Sequence, residues 1–544
     1  MAKSALKDLS VVGESALKAR NNGLRLVIAI LVVLLVLLFP GHPDQFTLNT
    51  LWQLPVELPV IVLALLFAPR PLRKPTSALL AFMALILMLL RLADIGSYLA
   101  FDRRFNPVLE LHLLSDGWNL ASTSTGPLQA LLIVALAWLV LIFIVWILYR
   151  CLLRIANVSP RRRAPLMLFA GIAAALITGG LYAENRFEYN SAAQAELIPE
   201  FSQRIARIND AIVDQQLFIE QLQRDTVLDE QTPTFSALQG KDVIIVFVES
   251  YGRGYLDAER FATLARERLA SVQGVLDNSG MQSKSGWLTS PIRGGRSWLA
   301  HSTFQAGLEI DSQARYDRLV TTKRPSFSAL FEMAGWNTVG VMPAIQFEWP
   351  EGSWYDYQSL HVAKDMQYQG ERFGYVTMPD QYTMSHFQRK IREKSVRPVM
   401  ATIALLTTHA PWTPIPEKLD WNAIGDGSIY DGSMRYGDKI SWKYRSKVQD
   451  MFAQSFDYTL DILGEFIALY GDNAVVVILG DHQPPPVING WGKSGDVPVH
   501  VISNDAAIMR RLPEEYWVDG MIPSAAVASQ PMRNMRKTFS TLFE

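Results

Sequence analysis

The stretch "KDVIIVFVESYG", residues 241–252, leads a run of β-branched and aromatic residues directly into the carboxylate of Glu249. A continuous apolar run of this length is typical of a strand that is buried on both faces of a sheet. Further runs of this kind, separated by helical patterns such as 260–276 and 448–470, occupy residues 338–342, 399–406, 475–479 and 497–503. The alternation predicts an α/β domain with a mostly parallel central sheet.

Residues that commonly bind metals follow three of these predicted strands. Glu249 ends the first, His409 follows another in "ATIALLTTHAPW", and Asp481 and His482 follow a third in "VVVILGDHQPPP". Ligands bind beyond the carboxyl ends of parallel strands, so these side chains are expected at one edge of the sheet. A single acid at a strand end is more often a helix cap or a salt-bridge partner. Several at equivalent positions favour a metal site.

The length and charge of the chain limit its class. Its 544 residues exceed what one core normally serves, so two or more domains are expected. The 51 Lys and Arg residues against 52 Asp and Glu residues leave the chain almost neutral, which gives no reason to expect a nucleic-acid partner. Cys151 is the only cysteine, so the domain after residue 241 has no disulfide.

Long apolar runs concentrate before residue 185, each near the roughly 20 residues that a helix needs to cross a bilayer. They lack the polar stripe of a soluble bundle helix. The runs occupy residues 24–39, 51–68, 77–92, 128–148 and 166–181. They predict an N-terminal five-helix transmembrane bundle, the first helix being a retained anchor and not a cleaved signal peptide.

Basic clusters at residues 3–25, 70–74 and 150–163 flank these runs and are expected on the cytoplasmic side. The chain after about residue 185 then faces outward, which predicts a multi-pass protein of the bacterial inner (cytoplasmic) membrane with a periplasmic catalytic domain. The connection at 101–126 is expected to form a short amphipathic helix on the membrane surface. The predicted domains are a transmembrane domain, 1–184, a helical linker, 185–240, and an extracytoplasmic catalytic domain, 241–544.

These residues together resemble the alkaline phosphatase and sulfatase superfamily. More narrowly, the chain is similar to membrane-anchored headgroup transferases: lipoteichoic acid synthase, the phosphoglycerol transferases of periplasmic glucans and the phosphoethanolamine transferases. "VFVESYGRGYLD" resembles the first metal-ligand strand of that family and "LGDHQ" its late Asp-His pair. The resemblance covers the whole plan of membrane helices, linker and external α/β domain, and implies an alkaline phosphatase-like fold.

The resemblance also implies a nucleophile and its metal ligands. "SPIRGGRSWLAHSTFQAGL" resembles the segment that carries the family's Thr or Ser nucleophile, which places it at Ser297, 297 − 249 = 48 residues after Glu249. Ser302 and Thr303 are the alternatives, more typical of helix packing. Glu249, Ser297, Asp481 and His482 would hold one divalent cation, Mn²⁺ being expected, with Zn²⁺ or Mg²⁺ as alternatives because the ligand types do not choose among them.

Residues that would contact the substrate follow from the same resemblance. His409 matches a family histidine that contacts the substrate phosphate, the alternative being a surface histidine beside a proline turn. Arg253 and Arg296 could neutralise phosphate oxygens, although arginines more often form ion pairs. His500 is expected to be a hydrogen-bonded core histidine and not a second-metal ligand. In "FEWPEGSWYDY" the headgroup-binding residues would be Trp349, Trp354 and Glu351, where the synthase has an arginine at the place of Glu351.

The expected function is metal-dependent transfer of a phosphoglycerol headgroup from phosphatidylglycerol, through a covalent phospho-Ser intermediate, to a periplasmic glycan or a lipid-linked acceptor. The missing disulfides and the "VESYGRGYLD" motif favour phosphoglycerol, whereas Glu351 favours the cationic headgroup of phosphatidylethanolamine. "TSPIR", 289–293, has the outline of the sulfatase activation motif, but its first residue is Thr, which disfavours a sulfatase. The remaining alternatives are a membrane phosphatase or phosphodiesterase and an inactive lipid-binding regulator.

Overall fold

The computed structural model describes most of the chain, in two compact units. One unit lies within residues 1–98 and 103–212, and the other comprises residues 99–102 and 213–544. The described residues are 21–47, 54–107, 110, 117–118, 122, 126–187, 193–194, 197–346, 348–372, 377–435 and 444–544. The amphipathic helix expected at 101–126 falls largely outside the described residues, and the predicted domain bounds stay a prediction.

Apolar helices lie at all five predicted positions of the first unit. They are Asn21–Leu37, Glu57–Phe67, Arg73–Phe101, Pro127–Ala156 and Pro160–Phe187, and the helix Leu197–Leu222 follows them. Three segments are long and apolar enough to cross a membrane: Arg70–Phe101, Pro127–Ala156 and Pro160–Gly179. In the described residues, the first two helices are shorter than the length needed to cross a bilayer. Five membrane crossings therefore stay a prediction.

The helix Pro127–Ala156 turns most of its apolar side chains outward. Leu131, Leu139 and Phe143 are 54%, 64% and 58% exposed. A contiguous apolar surface of this kind is unfavourable in water and is expected against lipid or another protein.

Buried charges in the first unit are paired with one another. Arg91 and Asp94 interrupt the third apolar run, and both are buried. Arg91 bonds to Glu200 at 3.0 Å, and Arg204 pairs with both Asp94 and Glu200. Because an isolated buried charge is costly, this network explains why two charged residues are tolerated at the end of an apolar helix.

The second unit is built on one nine-stranded sheet. Its strands are β1 (Asp242–Val248), β2 (Gln282–Thr289), β3 (Asn337–Met342), β4 (Ser359–Val362), β5 (Val399–Leu405), β6 (Ala474–Gly480), β7 (Asp496–Ser503), β8 (Val518–Asp519) and β9 (Ser529–Pro531). Their order is β8-β2-β7-β6-β1-β5-β3-β4, with β9 beside β2. The five predicted strands are confirmed as β1, β3, β5, β6 and β7. Sequence reasoning missed β2, β4, β8 and β9, which are polar or short.

The strands from β6 through β1, β5 and β3 to β4 are parallel, whereas β7 is antiparallel to both β6 and β2. In this register Val248 of β1 lies opposite Gly480 of β6 and also opposite Leu405 of β5. The residues that follow these three strands therefore leave the sheet at the same level of one edge.

Helices cover both faces of the sheet, as predicted. They are Arg253–Asp257, Glu259–Asn278, Ser297–Ala306, Gln313–Leu319, Phe327–Met333, Asp380–His386, Arg445–Tyr470, Pro486–Asn489, Ala506–Met509 and Met535–Leu542. Side chains of β1 alternate between two cores: Val246 packs in the core that contains helices Glu259–Asn278 and Arg445–Tyr470, and Phe247 in the core that contains Ser297–Ala306. Alternate residues of a strand face the same side of the sheet, so the Glu249 side chain leaves the backbone on the same side as that of Phe247, toward the helix Ser297–Ala306.

His500 lies within β7 as a fully buried, hydrogen-bonded core residue. Ser285 Oγ donates to the Gly520 carbonyl, so it accepts from His500 Nδ1 at 2.7 Å. Nε2 then accepts from the Tyr251 hydroxyl at 3.0 Å. Burial lowers the pKa of His500 to about 3, which keeps the ring neutral. Both ring nitrogens are thus satisfied, as expected of a core histidine.

Replacing Tyr251 by Phe should destabilise the protein by about 1–3 kcal/mol, because the buried His500 Nε2 loses its donor. Tyr255→Phe is the matched control: Tyr255 is equally buried, and its hydroxyl has no hydrogen-bond partner among the described residues. That change should leave stability unchanged or raise it. Thermal unfolding of the two full-length variants in detergent measures the difference, and equal destabilisation would contradict the assignment.

Candidate active site

Glu249, Ser297, Asp481 and His482 lie together at the edge of the sheet. Ser297 Oγ donates to Glu249 Oε2 at 2.7 Å and lies 3.2 Å from His482 Nε2. His482 Nε2 in turn lies 3.4 Å from Glu249 Oε1 and 3.6 Å from Asp481 Oδ2. The four residues that the sequence singled out as a metal and nucleophile cluster are thus brought together around one hydroxyl.

Ser297 is the first residue of the helix Ser297–Ala306. The chain enters this helix through two successive left-handed residues, Gly295 (φ 55°) and Arg296 (φ 58°). Glycine adopts this conformation freely, whereas arginine does so at a cost of roughly 1–2 kcal/mol. The turn directs the Ser297 hydroxyl to Glu249 at the strand ends, and it places Ser297 in the first helical turn, where backbone N–H groups have no partner within a helix.

The alternative nucleophiles Ser302 and Thr303 are buried in packing positions on the same helix. Ser302 Oγ donates to the Leu299 carbonyl at 3.1 Å, and Thr303 Oγ1 accepts from the Ile310 N–H at 3.0 Å. Neither makes a described hydrogen bond to the carboxylates or to His482.

Glycine is required immediately before Asp481. A Cβ on Gly480 would lie 1.9 Å from the Tyr251 carbonyl oxygen, so β6 can approach the turn after β1 only without a side chain at this position. The close approach brings Asp481 beside the residues that follow β1. Ser290, from the segment that resembles the sulfatase motif, donates its hydroxyl to the Asp481 carbonyl at 2.5 Å.

His482 directs its Nε2 at Ser297. Its Nδ1 lies 2.7 Å from the Gln483 carbonyl, which can only accept, so Nδ1 carries a proton. Burial disfavours the charged ring, but the carboxylates of Asp481 and Glu249 outweigh it and raise the pKa of His482. When Nε2 loses its proton it becomes the acceptor, as a metal-binding nitrogen has to be.

Ser250 braces both carboxylates and is a residue that sequence reasoning missed. Its N–H donates to Asp481 Oδ1 at 2.8 Å, and its hydroxyl donates to Glu249 Oε1 at 2.9 Å. Ser250 adopts φ 60°, a left-handed conformation that is strained for a residue with a side chain. The only sequence signal for Ser250 is that it is a small polar residue in a turn. Because such residues are common in turns, this signal does not single it out.

Two buried carboxylates repel each other in this cluster. Burial and the charge of Glu249 raise the pKa of Asp481. Burial also disfavours the charge on Glu249, but His482, His409 and the Ser297 hydroxyl outweigh it and lower the pKa of Glu249 well below its usual range. A divalent cation would relieve the repulsion. Glu249, Asp481 and His482 offer ligand atoms within 4.8 Å of one another, and their oxygen and imidazole donors fit Mn²⁺, Zn²⁺ or Mg²⁺.

A cavity of about 570 Å³ opens beside the cluster. This volume is in the range of small-molecule binding sites. Aromatic rings of Trp298, Tyr316, Trp349 and Tyr355 form much of its wall. The carboxylates, the guanidinium and the imidazoles of the lining belong to Glu249, Arg296, His301, Glu348, His409 and Asp481.

Three of the predicted substrate-binding residues line this cavity: Arg296, Trp349 and His409. His409 Nδ1 lies 2.6 Å from the Ala410 carbonyl. The neighbouring Thr408 hydroxyl donates to the Glu249 carbonyl at 2.7 Å, which fixes this loop against the turn after β1.

The other three predicted substrate-binding residues are not part of the cavity lining. Arg253 forms ion pairs with Asp257 at 2.7 Å and with Asp496 at 3.1 Å. Trp354 is buried against Tyr355, and Glu351 lies in the first turn of the short 3-10 helix Pro350–Tyr355. Trp298, His301 and Glu348 line the cavity instead, and sequence reasoning gave them no role.

The chain is similar in structure to a member of the alkaline phosphatase superfamily from Vibrio parahaemolyticus (13% identity, TM-score 0.37, covering 57% of this chain and 68% of that chain). It is also similar to the phosphoethanolamine transferase EptA from Neisseria meningitidis (12%, 0.43, 91% and 87%) and to the phosphoglycerol transferase GacH from Streptococcus pyogenes in complex with sn-glycerol-1-phosphate (14%, 0.34, 53% and 74%). No protein-family model and no curated protein sequence matches the chain.

Asp481→Asn should raise the stability of the metal-free protein, by about 1–3 kcal/mol, because it removes one of two repelling buried charges while keeping the acceptor for Ser250. The same change should abolish stabilisation by Mn²⁺ or Zn²⁺, which in the wild type is expected to reach about 2.7 kcal/mol at 100 times the dissociation constant.

Thermal unfolding of the full-length protein with and without each cation measures both effects. Asp457→Asn is the control, since Asp457 pairs with Arg268 at 2.6 Å outside the cluster, and this variant should keep the response to the cation. An undiminished response in Asp481→Asn would contradict the ligand assignment.

Proposed function

We propose that the chain transfers the phosphate-linked headgroup of a membrane phospholipid to an acceptor hydroxyl, with Ser297 as the nucleophile. The observation that carries this proposal is the Ser297 hydroxyl at a helix N-terminus, hydrogen-bonded to Glu249 at 2.7 Å and lying 3.2 Å from Nε2 of His482. A hydroxyl in this setting has both proton acceptors and backbone donors suited to attack on a phosphate.

Glu249, Asp481, His482 and the Ser297 oxygen would hold one divalent cation, Mn²⁺ being our first candidate. When bound, the cation supplies Lewis-acid stabilisation of negative charge and lowers the pKa of the serine hydroxyl. Ser250 holds both carboxylates in position, and the Gln483 carbonyl fixes the tautomer of His482.

In the first step, Ser297 Oγ attacks the phosphorus of the lipid phosphodiester. The Oγ–P bond forms, the bond from phosphorus to the diacylglycerol oxygen breaks, and the proton lost by Ser297 is balanced by one taken up by the departing diacylglycerol. Glu249 Oε2 and His482 Nε2 are the acceptors within reach of the serine proton. Arg296 and His409 line the cavity and stabilise charge on the non-bridging oxygens.

In the second step, an acceptor hydroxyl attacks the phospho-Ser intermediate. The acceptor oxygen bonds to phosphorus, the Oγ–P bond breaks, and Ser297 regains a proton. A glycan or a lipid-linked sugar is the proposed acceptor. A phosphatase or phosphodiesterase would use water at this step, and an inactive lipid-binding regulator would carry out neither step.

The proposed headgroup is phosphoglycerol, and phosphoethanolamine is the second candidate. The "VESYGRGYLD" motif and the lack of disulfides support phosphoglycerol. The exposed residue Glu348 and the aromatic residue Trp349 both line the cavity, which supports an ammonium group, because a carboxylate and an aromatic ring both attract cations. Glu351, which first suggested this second headgroup, does not line the cavity.

A membrane-embedded donor fits the apolar helices of the first unit. The segments Arg70–Phe101, Pro127–Ala156 and Pro160–Gly179 are long and apolar enough to anchor the chain in a bilayer. We propose that the chain lies in the bacterial inner membrane with its α/β unit on the periplasmic side, because the basic flanks then remain in the cytoplasm.

The proposal predicts that the purified full-length protein with Mn²⁺ releases diacylglycerol from fluorescent phosphatidylglycerol, or at a lower rate from phosphatidylethanolamine. Ser297→Ala should abolish release, because the Oγ–P bond cannot form. Ser302→Ala, a change to a packed serine outside the cluster, should retain it. Mass spectrometry of the wild type should find the headgroup phosphate on the peptide that contains Ser297.

Release that persists in Ser297→Ala would overturn the nucleophile. Release without any adduct, and with free headgroup phosphate as the product in the presence of glycan acceptors, would favour a hydrolase. No release from either lipid, with cation bound and the protein folded, would favour the inactive regulator.

A further inference from the structure

His301 lies one helical turn after Ser297 on the helix Ser297–Ala306. Residues four apart on a helix share a face, so the two side chains are neighbours. Both line the same cavity. A group attached to Ser297 Oγ therefore has His301 beside it.

The imidazole of His301 is held in place but is chemically unsatisfied. Its ring packs on Phe247, with ring centroids 4.1 Å apart at an angle of 42°. Its Nε2 is buried and has no hydrogen-bond partner among the residues that the structure describes. A buried polar atom without a partner costs roughly 1–3 kcal/mol, so a ligand that supplies the missing hydrogen bond gains that energy on binding.

The ring is neutral at physiological pH. Burial lowers the pKa of His301 to about 4, Glu249 opposes this shift, and His482 adds to it. A neutral imidazole has one donor and one acceptor nitrogen, so it binds a hydroxyl or an ammonium group. A second anion-binding role beside Arg296 does not suit it.

The cavity lining contains groups suited to a phosphate and other polar groups that could contact the rest of a headgroup. The groups that suit a phosphate, Arg296 and His409, are charged or titratable side chains of the lining. The aromatic wall adds one buried polar atom without a partner among the described residues, the Tyr316 hydroxyl. Gln346 and Glu348 are exposed, while the Nε2 atom of His301 is buried. His301 therefore offers a buried polar contact to the part of the headgroup beyond the phosphate.

We propose that His301 is a specificity-determining residue that hydrogen-bonds the distal polar group of the headgroup carried on Ser297. The chemistry recognised is a hydroxyl or ammonium group two or three carbons from the phosphate, supplied by phosphoglycerol or phosphoethanolamine. This role rests on the proposed headgroup transfer.

The test compares each natural lipid with an analogue that lacks the distal group. Phosphatidylglycerol is paired with phosphatidylpropanol, and phosphatidylethanolamine with phosphatidylethanol, in mixed micelles with the full-length protein and Mn²⁺. The readout is the ratio of kcat/KM for diacylglycerol release within each pair. Both rates of a pair are proportional to the concentration of folded protein, so their ratio, measured on one preparation, does not depend on the fraction that is folded.

The wild type should favour one natural lipid over its analogue, and that pair identifies the headgroup. His301→Leu should lower this ratio about 3- to 10-fold, by slowing only the natural lipid. His301→Gln, which keeps a hydrogen-bonding group, should lie between the two. Ser302→Ala, an adjacent change outside the cavity lining, should leave the ratio unchanged.

A wild-type ratio that His301→Leu leaves unchanged, whatever the absolute rates, would overturn the role of His301 while leaving headgroup transfer intact. Equal loss of both lipids of a pair would mean that His301 only supports the fold of the helix, and would overturn the role as well. Absence of release by the wild type from all four lipids would overturn the proposed transfer, and the recognition by His301 with it.

Discussion

The pairing of Val248 with Gly480 across neighbouring parallel strands is the constraint on which the site depends. It carries the chain after both strands to the same level, where two carboxylates, Glu249 and Asp481, are forced together away from water. Like charges in a buried place are unfavourable, so the fold has to hold them there. The close approach allowed by Gly480 and the donors of Ser250 do so. His482 Nε2 lies within 3.4 Å of Glu249 and 3.6 Å of Asp481, an arrangement of donor atoms that would also suit a cation.

The proposed nucleophile reaches this cluster from a different part of the chain. Ser297 comes from a helix on one face of the sheet, and the alternation of β1 side chains sends Glu249 to that same face. Strained backbone occurs on both sides of the contact, at Arg296 before the serine and at Ser250 after the glutamate. Because the sheet register is fixed by many cooperating hydrogen bonds, these two local strains can be maintained without loss of the fold.

The extent to which the sequence predicts this arrangement differs from residue to residue. The strands that precede Glu249, Asp481 and His482 are continuous apolar runs, and the strand-end rule alone brings these residues to one edge. Ser297 required the family resemblance, because the glycines that precede it and the packing-type position of Ser302 only favour Ser297 and do not identify it as a nucleophile. Ser250 and His301 escaped prediction because their contacts arise only when distant segments meet, and β2 escaped because its polar "QSKSG" start conceals a strand. The family resemblance pointed to Glu351 and gave Glu348 no role, because position along a loop does not indicate which side chain lines the cavity.

The charges of the site also determine what it can bind. A phosphodiester is an anion, and two buried carboxylates would repel it if they stood alone. Arg296 and His409 oppose that field from the cavity wall, but neither lies between the carboxylates. A cation held in the cluster would add positive charge beside Ser297, so phosphate binding and cation binding are expected to be linked. The rest of the cavity wall is largely aromatic, so in the proposed reaction selection of the headgroup would depend on a few polar groups, among them the carboxylate of Glu348 and the buried, unsatisfied Nε2 of His301.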